Sequence, residues 1–253
     1  MVKMYIFSGQ LCVGKDHVAE NAGLLPVSIA EPIYRIAEHY LGTSDKTRPE
    51  VRRFLQVTGM WGRGEKECVE CEGVLLTQMT EDLQKNGAAI TGMNMPWEEF
   101  SANRDFWLKG TVVRALSEVS SGKSIAVTNG RFENEIATLR AAGASYYHIM
   151  CDEGNRRIRM RREFNPKIDM EGTEKMAYAL TQKVLQGGPS AIDATGVVWN
   201  DQKTPCPFAG ALTLEEFIEI VRANNDKSIN QLPGRIGNKG SAPLNPTLES
   251  YCA

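Results

Sequence analysis

Three groups of residues in this 253-residue chain have the types and spacing to do chemistry on phosphate. The first is Gly9-Gln-Leu-Cys-Val-Gly14-Lys15-Asp16, which fits the pattern G-x-x-x-x-G-K and continues with Asp. Glycines let the backbone curl so that successive N–H groups point at phosphate oxygens, and a following helix adds the favourable end of its dipole. Lys15 then reaches the β- and γ-phosphates as a mobile charge. Candidate ATP contacts are Gly9, Leu11, Cys12, Val13, Gly14, Lys15, Asp16 and His17. Asp16 stands where Ser or Thr usually holds Mg²⁺; its carboxylate either meets the metal through water or caps the helix. His17 either contacts the nucleotide or only flanks it. The second group is Asn129-Gly130-Arg131, closing an apolar run. A guanidinium at the end of a strand beside the phosphate loop can fork onto an acceptor phosphate, although an arginine in that place is also a common solvated loop residue. The third is Arg156-Arg-Ile-Arg-Met-Arg-Arg162, with five arginines in seven residues. On a helix Arg157 and Arg161 share a face, and such a segment can close over ATP and offset charge in a transition state. A solvated basic helix and a nucleic-acid contact are the competing readings.

The elements that must carry these groups alternate between strand and helix, which predicts a parallel sheet covered by helices. Met4–Phe7 reads as a buried first strand, Lys15–Asn21 as a helix, and Pro26–Ile29 as a second strand. Pro32 is placed as a first helical residue, with Gly42 as the stop. A helix is expected over Pro49–Val57 and another over Asn103–Ser120. Ser124–Thr128 reads as a central strand, Glu133–Ala142 as a helix with Gly143 after its end, and Ser145–Met150 as a strand. A helix around Thr173–Leu185 precedes Val197–Trp199, read as the last strand. Thr213-Leu-Glu-Glu216 has the form of a capping box opening an amphipathic helix. Between residues 64 and 102 only Val74–Leu83 has helical periodicity. Gly87–Pro96 reads as loop, and the whole segment as an insertion decorating the domain.

Composition narrows the class. Apolar residues make up 42% and charged residues 24%, the balance of a globular protein rather than a disordered one. With 29 basic against 31 acidic side chains the net charge is −2, so general polyanion binding is not expected and phosphate affinity must be local. No run reaches the length of a membrane span, and the opening residues MVKMYIFSGQ lack a signal peptide's apolar core, so a cytoplasmic protein is expected. Six scattered cysteines suit reduced thiols, and Cys68-x-x-Cys71 has no second pair to complete a zinc site.

The order of these motifs resembles the bacteriophage deoxynucleoside monophosphate kinases, a branch of the P-loop nucleotide kinases, over most of residues 3–223. Gly9–Asp16 matches the phosphate loop, and Ala30-Glu-Pro32 the opening of the next helix. Arg53-Phe-Leu-Gln-Val-Thr-Gly59 with Arg63 matches a Leu-Gln-x-x-Gly segment, and Asn103–Lys109 the start of a later helix. Gly130-Arg-Phe-Glu-Asn-Glu135 continuing to Gly143 is the most specific match, and Trp199-Asn-Asp201 and Leu212–Ile218 match the closing segments. Asn129 departs from the pattern, standing where relatives commonly carry Asp. The resemblance implies an α/β fold of three layers, α/β/α, with a parallel central sheet, an NMP-binding helical region and an arginine-rich lid over about residues 152–172. Residues 1–225 would form the kinase domain and 226–253 a flexible tail. It implies phosphoryl transfer from ATP to a dNMP with Mg²⁺, serving nucleotide supply to phage DNA synthesis in the host cytoplasm. A homodimer follows as well, and direct binding to nucleic acid or membrane does not. Lys15 and the loop amides would hold the donor phosphates, Arg131 the acceptor phosphate, and Arg157 and Arg161 the transition state. Trp61, Arg63 and Trp107 would meet the nucleoside and its phosphate, although the core is the commoner place for a tryptophan. Alternatives are another small-molecule kinase resembling dephospho-coenzyme A kinase, a nucleic-acid-stimulated NTPase, and a nucleotide-binding scaffold without turnover.

Overall fold

The computed structural model describes residues 3–163, 171–186 and 194–229. The chain opens with β1 (Met4–Ser8), α1 (Lys15–Asn21), β2 (Leu25–Val27), α2 (Glu31–Leu41) and α3 (Pro49–Gly62). A small antiparallel hairpin, β3 (Glu70–Cys71) and β4 (Val74–Leu75), leads into α4 (Leu76–Thr91). After a 3₁₀ turn at Trp97–Glu99 come α5 (Phe106–Ser120), β5 (Ile125–Gly130), α6 (Glu133–Ala141) and β6 (Ser145–Met150). The described chain ends with α7 (Glu153–Glu163), α8 (Glu171–Gln186), β7 (Gly196–Trp199), β8 (Leu212–Thr213) and α9 (Leu214–Ile229). β8 is one strand more than expected after Val197–Trp199. α9 carries the helix past residue 225 to Ile229, and the rest of the expected tail lies outside the described residues.

Six strands form one sheet in the order β2-β5-β1-β6-β7-β8, every neighbouring pair parallel. The fold is thus α/β, a parallel central sheet between layers of helices. Strand alternation divides the core accordingly. Tyr5, Phe7, Tyr147, Ile149 and Val198 face α1 and α9, packing on Val18, Leu214, Phe217 and Val221. Ile6, Val27, Ile125, Val127 and Tyr146 face the larger layer with Ile36, Phe54, Leu83, Phe106 and Leu139. Both faces are buried, which is why the strands read as continuous apolar runs.

The segment over 64–102 is not a decoration. Leu76, Met79, Leu83, Met95, Trp97 and Phe100 are buried members of the larger core cluster. Gly87–Pro96, expected as loop, is helical to Thr91. Gly87 reads as a helix breaker, yet it is there for packing: a Cβ at this position would lie 2.3 Å from the Trp97 ring. α3 likewise runs to Gly62 rather than Val57.

Candidate phosphate site

β1 lies between β5 and β6; the connection after β1 runs past β5 to β2 and the one after β5 crosses back over β1 to β6, so the connections of these two neighbouring strands leave in opposite directions. Ligands of open parallel sheets bind at such a switch point, outside the carboxyl ends of the strands. Residues 9–14 lie there, directly after Ser8. Gly9 has φ 137° and Gly14 φ 87°, both in a region that disfavours side chains. Space forbids a side chain at both as well: a Cβ on Gly9 would lie 2.3 Å from the Ile149 carbonyl oxygen, and one on Gly14 2.4 Å from Nδ2 of Asn200. Gly14 is also the N-cap residue of α1, so the loop delivers its backbone to a helix N-terminus.

The loop is held by its carbonyls. Lys15 Nζ donates to the carbonyls of Gly9 and Gln10, each at 3.0 Å. Arg156 Nη1 reaches the Leu11 carbonyl and Arg159 Nη1 the Cys12 carbonyl, each at 3.4 Å. Asn200 Nδ2 donates to Val13 O at 2.9 Å and to Gly14 O at 3.4 Å. Asp201 accepts from Asn155 Nδ2 on α7. Residues 200–201 therefore touch the loop and the arginine helix together.

α7 turns a different pair of arginines inward from the pair expected. Arg156 is 7% exposed and is gripped by Glu153 through Nε (2.7 Å) and Nη2 (2.8 Å). Arg157, at 68% side-chain exposure, pairs with Glu153 at 2.8 Å, and Arg161 is exposed. These bonds from Arg156, then Arg157, hold the Glu153 carboxyl down at about 2. The run itself was visible in the sequence; its phase was not, because the apolar residue that would mark a buried face, Ile158, is 48% exposed. The remainder of the expected lid, residues 164–170, lies outside the described residues.

On the far side of the switch point, Arg131 is exposed at the end of β5. Its N–H and that of Phe132 donate to Glu135 Oε2 at 2.8 and 3.1 Å, closing the first turn of α6. Burial raises the Glu135 carboxyl above its ordinary value, against those two N–H bonds and the charges of Arg131 and Arg63. The charges of Arg131 and Arg63 both act on this carboxylate, while the Arg63 guanidinium itself pairs with Glu65 at 3.1 Å. Asn129 Oδ1 accepts the Ile29 N–H at 2.9 Å, tying β5 to the turn that opens α2. The position departing from the family pattern is a structural tie.

Trp61 and Trp107, expected at the nucleoside, are corrected to core residues. Each is 4% exposed; Trp61 Nε1–H donates to Thr80 Oγ1 at 2.7 Å and Trp107 Nε1–H to the Gly59 carbonyl at 2.9 Å. Their rings pack inside the larger core, so neither presents a face to a ligand.

Beneath the loop lies a polar group not anticipated from sequence. Ser8 Oγ is 2.6 Å from Tyr146 OH and 2.7 Å from His148 Nδ1, and His148 Nε2 is 3.2 Å from Thr181 Oγ1 on α8. All three strand residues are fully buried. Burial, with the nearby charge of Lys15, lowers the His148 imidazole to about 3, so it is neutral and its two nitrogens play opposite roles, one donor and one acceptor. The only sequence signal was a histidine, His148, inside a strand otherwise rich in tyrosine and apolar residues.

The donor set fits a polyphosphate: bare backbone at two glycines, a helix N-terminus, one ammonium at Lys15 and one guanidinium at Arg159. For Mg²⁺ the loop offers Asp16, exposed in the first turn of α1. His17 is exposed beside it and its ring contacts Asn21. Asp152 and Asp201 are used in holding backbone, accepting the N–H of Asn155 at 3.0 Å and of Lys203 at 3.1 Å. A cation that arrives with a polyphosphate takes only one or two protein carboxylates, so one Asp is an adequate donor. Among the described residues no three His, Cys, Asp or Glu side chains group to hold a metal alone. None of the described helices is long and apolar enough to cross a membrane. The sequence matches no protein-family model, and a search of curated proteins finds no relative.

Proposed function

We propose that this protein is a deoxynucleoside monophosphate kinase, moving the γ-phosphoryl group of ATP to a dNMP to give dNDP and ADP. The observation that carries the reading is the glycine loop at the switch point, held by Lys15 and Arg159 of α7, with Arg131 directly after β5, the strand paired with β1. A phosphate loop beside a strand that leads directly into a guanidinium suits a donor polyphosphate and an acceptor phosphate brought together.

The chemistry asks little of the protein beyond placement. An acceptor phosphate oxygen, already anionic, attacks the γ-phosphorus; the bond from γ-phosphorus to the bridging oxygen breaks, and ADP leaves with that oxygen. Positioning and charge stabilisation supply the acceleration. The loop amides and Lys15 hold the donor phosphates. Arg159, lying over Cys12, is the arginine of α7 best placed to meet charge spreading over the transferred group, a role the sequence suggested for Arg157 and Arg161. Arg131 and Arg63 orient the acceptor, and α7 serves as the lid that keeps water out. Mg²⁺, when bound, neutralises the donor phosphates, and Asp16 would hold it through water.

The test is ADP release and dNDP formation with Mg-ATP and each of dAMP, dGMP, dCMP, dTMP and the ribonucleotides. The expected result is turnover of particular dNMPs that falls at least about a hundredfold in Lys15→Ala. ATP turnover that no monophosphate stimulates would remove the assignment, and stimulation by DNA or by another phosphorylated metabolite would replace it.

A further inference from the structure

We infer that Asn200 and Arg156 are positioning residues that set the phosphate loop by capping its carbonyls, and that the pair Asn200–Asp201 couples the loop to the arginine helix. The inference rests on reading residues 9–15 as the donor site.

A phosphate cradle works only if its N–H groups point inward. Each peptide unit that turns its N–H to the ligand turns its carbonyl away from it, and a carbonyl removed from water needs a donor. Every carbonyl from Gly9 to Gly14 has one from a side chain. Lys15 serves the first two, Arg156 and Arg159 the next two, and Asn200 the last two. The donors differ in what else they can do. Lys15 and Arg159 are cations on flexible stems that a polyphosphate can draw away. Asn200 is neutral and 5% exposed, and its amide occupies the space a Cβ on Gly14 would need. Arg156 is buried and locked by two bonds to Glu153. These two cannot follow the ligand, so they hold the loop while the mobile pair is recruited. Next along the chain, Asp201 holds Asn155 on α7. A displacement of the segment after β7 therefore moves loop and helix together.

Asn200→Asp is the sharpest variant, because it keeps the shape and replaces the donor with an acceptor facing two carbonyls. Asn200→Ala and Arg156→Met accompany it, so that one unstable protein does not decide the matter, and Arg157→Met is the control. Mg-ATP affinity is measured by calorimetry on the full chain, together with thermal midpoints and amide exchange of a peptide spanning the loop. We expect Asn200→Asp to weaken Mg-ATP at least tenfold, Asn200→Ala and Arg156→Met three- to tenfold, and Arg157→Met less than twofold, with acceptor KM unchanged. Exchange should quicken in the loop peptide and not in peptides of β5 or α5. Mg-ATP affinity within twofold of wild type in folded Asn200 and Arg156 variants would overturn the inference. So would exchange that is unchanged in the loop or raised everywhere. The exchange readout needs no ligand. A wild type that binds Mg-ATP but phosphorylates no dNMP would therefore defeat the functional reading alone.

Discussion

Arg159 and Arg157 carry the same charge two residues apart, and helix phase alone separates their fates. Arg159 lies against the loop at Cys12, while Arg157 sits at 68% exposure with Glu153 as its partner. An exposed ion pair is worth at most about 1 kcal/mol, so removing Arg157 should change neither stability nor rate measurably. Arg159→Lys keeps the charge but loses the planar fork, and kcat for dNMP phosphorylation should fall about a hundredfold with little change in acceptor KM. Steady-state kinetics of the two variants side by side check this; equal losses would return the role to the outer face. The five arginines were legible as a functional run in the sequence, but which of them point inward was not. Phase on a helix is read from its apolar residues, and Ile158 is on the wrong side. The tryptophans failed for a related reason. An indole near a motif is as well suited to a core as to a base, and only the partners of its N–H decide.

At the scale of elements, most of the sheet was readable because its strands are apolar runs ended by glycine or polar residues. α1 matches its expected bounds, and the capping box is present: Thr213 N–H donates to Glu216 Oε2 at 2.8 Å and Glu216 N–H to Thr213 Oγ1 at 3.2 Å. The stretch over 64–102 was misread because Gly87 breaks helical propensity for the sake of a tertiary contact that local patterns do not contain. Gly87→Ala tests that account. Propensity alone predicts a gain of about 1 kcal/mol in a helix interior. Against it stands a methyl group forced into the Trp97 ring, an overpacking that typically costs about 1–3 kcal/mol. Net destabilisation of about 1 kcal/mol is expected, a fall of about 2–4 °C in melting temperature for a chain of this size. A higher melting temperature would show that Trp97 moves aside freely. Asn200 was legible only within the Trp199-Asn-Asp201 match and without a role, because a polar residue after a short strand has no local reason to be buried; its reason is the loop nearly two hundred residues earlier.

For the whole molecule, the buried imidazole ties stability to pH. His148 is neutral in the folded protein, with its midpoint lowered to about 3, against about 6.5 in the unfolded chain. Between those values the unfolded state binds a proton that the folded state refuses, so stability rises with pH and is complete above about 6.5. Descending from 6.5, this one site should remove about 1.4 kcal/mol per pH unit. Glu153, lowered to about 2, adds a loss only once pH falls through the ordinary carboxylate range near 4.5. Burial raises Glu135, which acts in the opposite sense: its contribution is present at low pH and lost as pH rises through its folded midpoint. Urea denaturation at steps from pH 7 to 5, on wild type and His148→Asn, isolates the imidazole. The wild-type curve should fall away from the variant's by about one proton's worth, and parallel curves would refute the assignment.

The place of β1 in the sheet also governs when the site can exist during synthesis. Ser8 pairs with Gly130 on one side and His148 on the other. β1 therefore waits, apolar and without its sheet partners, for more than a hundred residues of synthesis. The entropy of closing so long a loop grows only slowly with its length, but distant parallel pairing is slow, and an unpaired strand invites aggregation. Ile149 shapes the Gly9 turn and Asn200 the Gly14 turn, so the motif written within residues 9–15 is finished by residues translated much later. A nascent or truncated chain holding the entire glycine motif still lacks the residues that shape both of its turns.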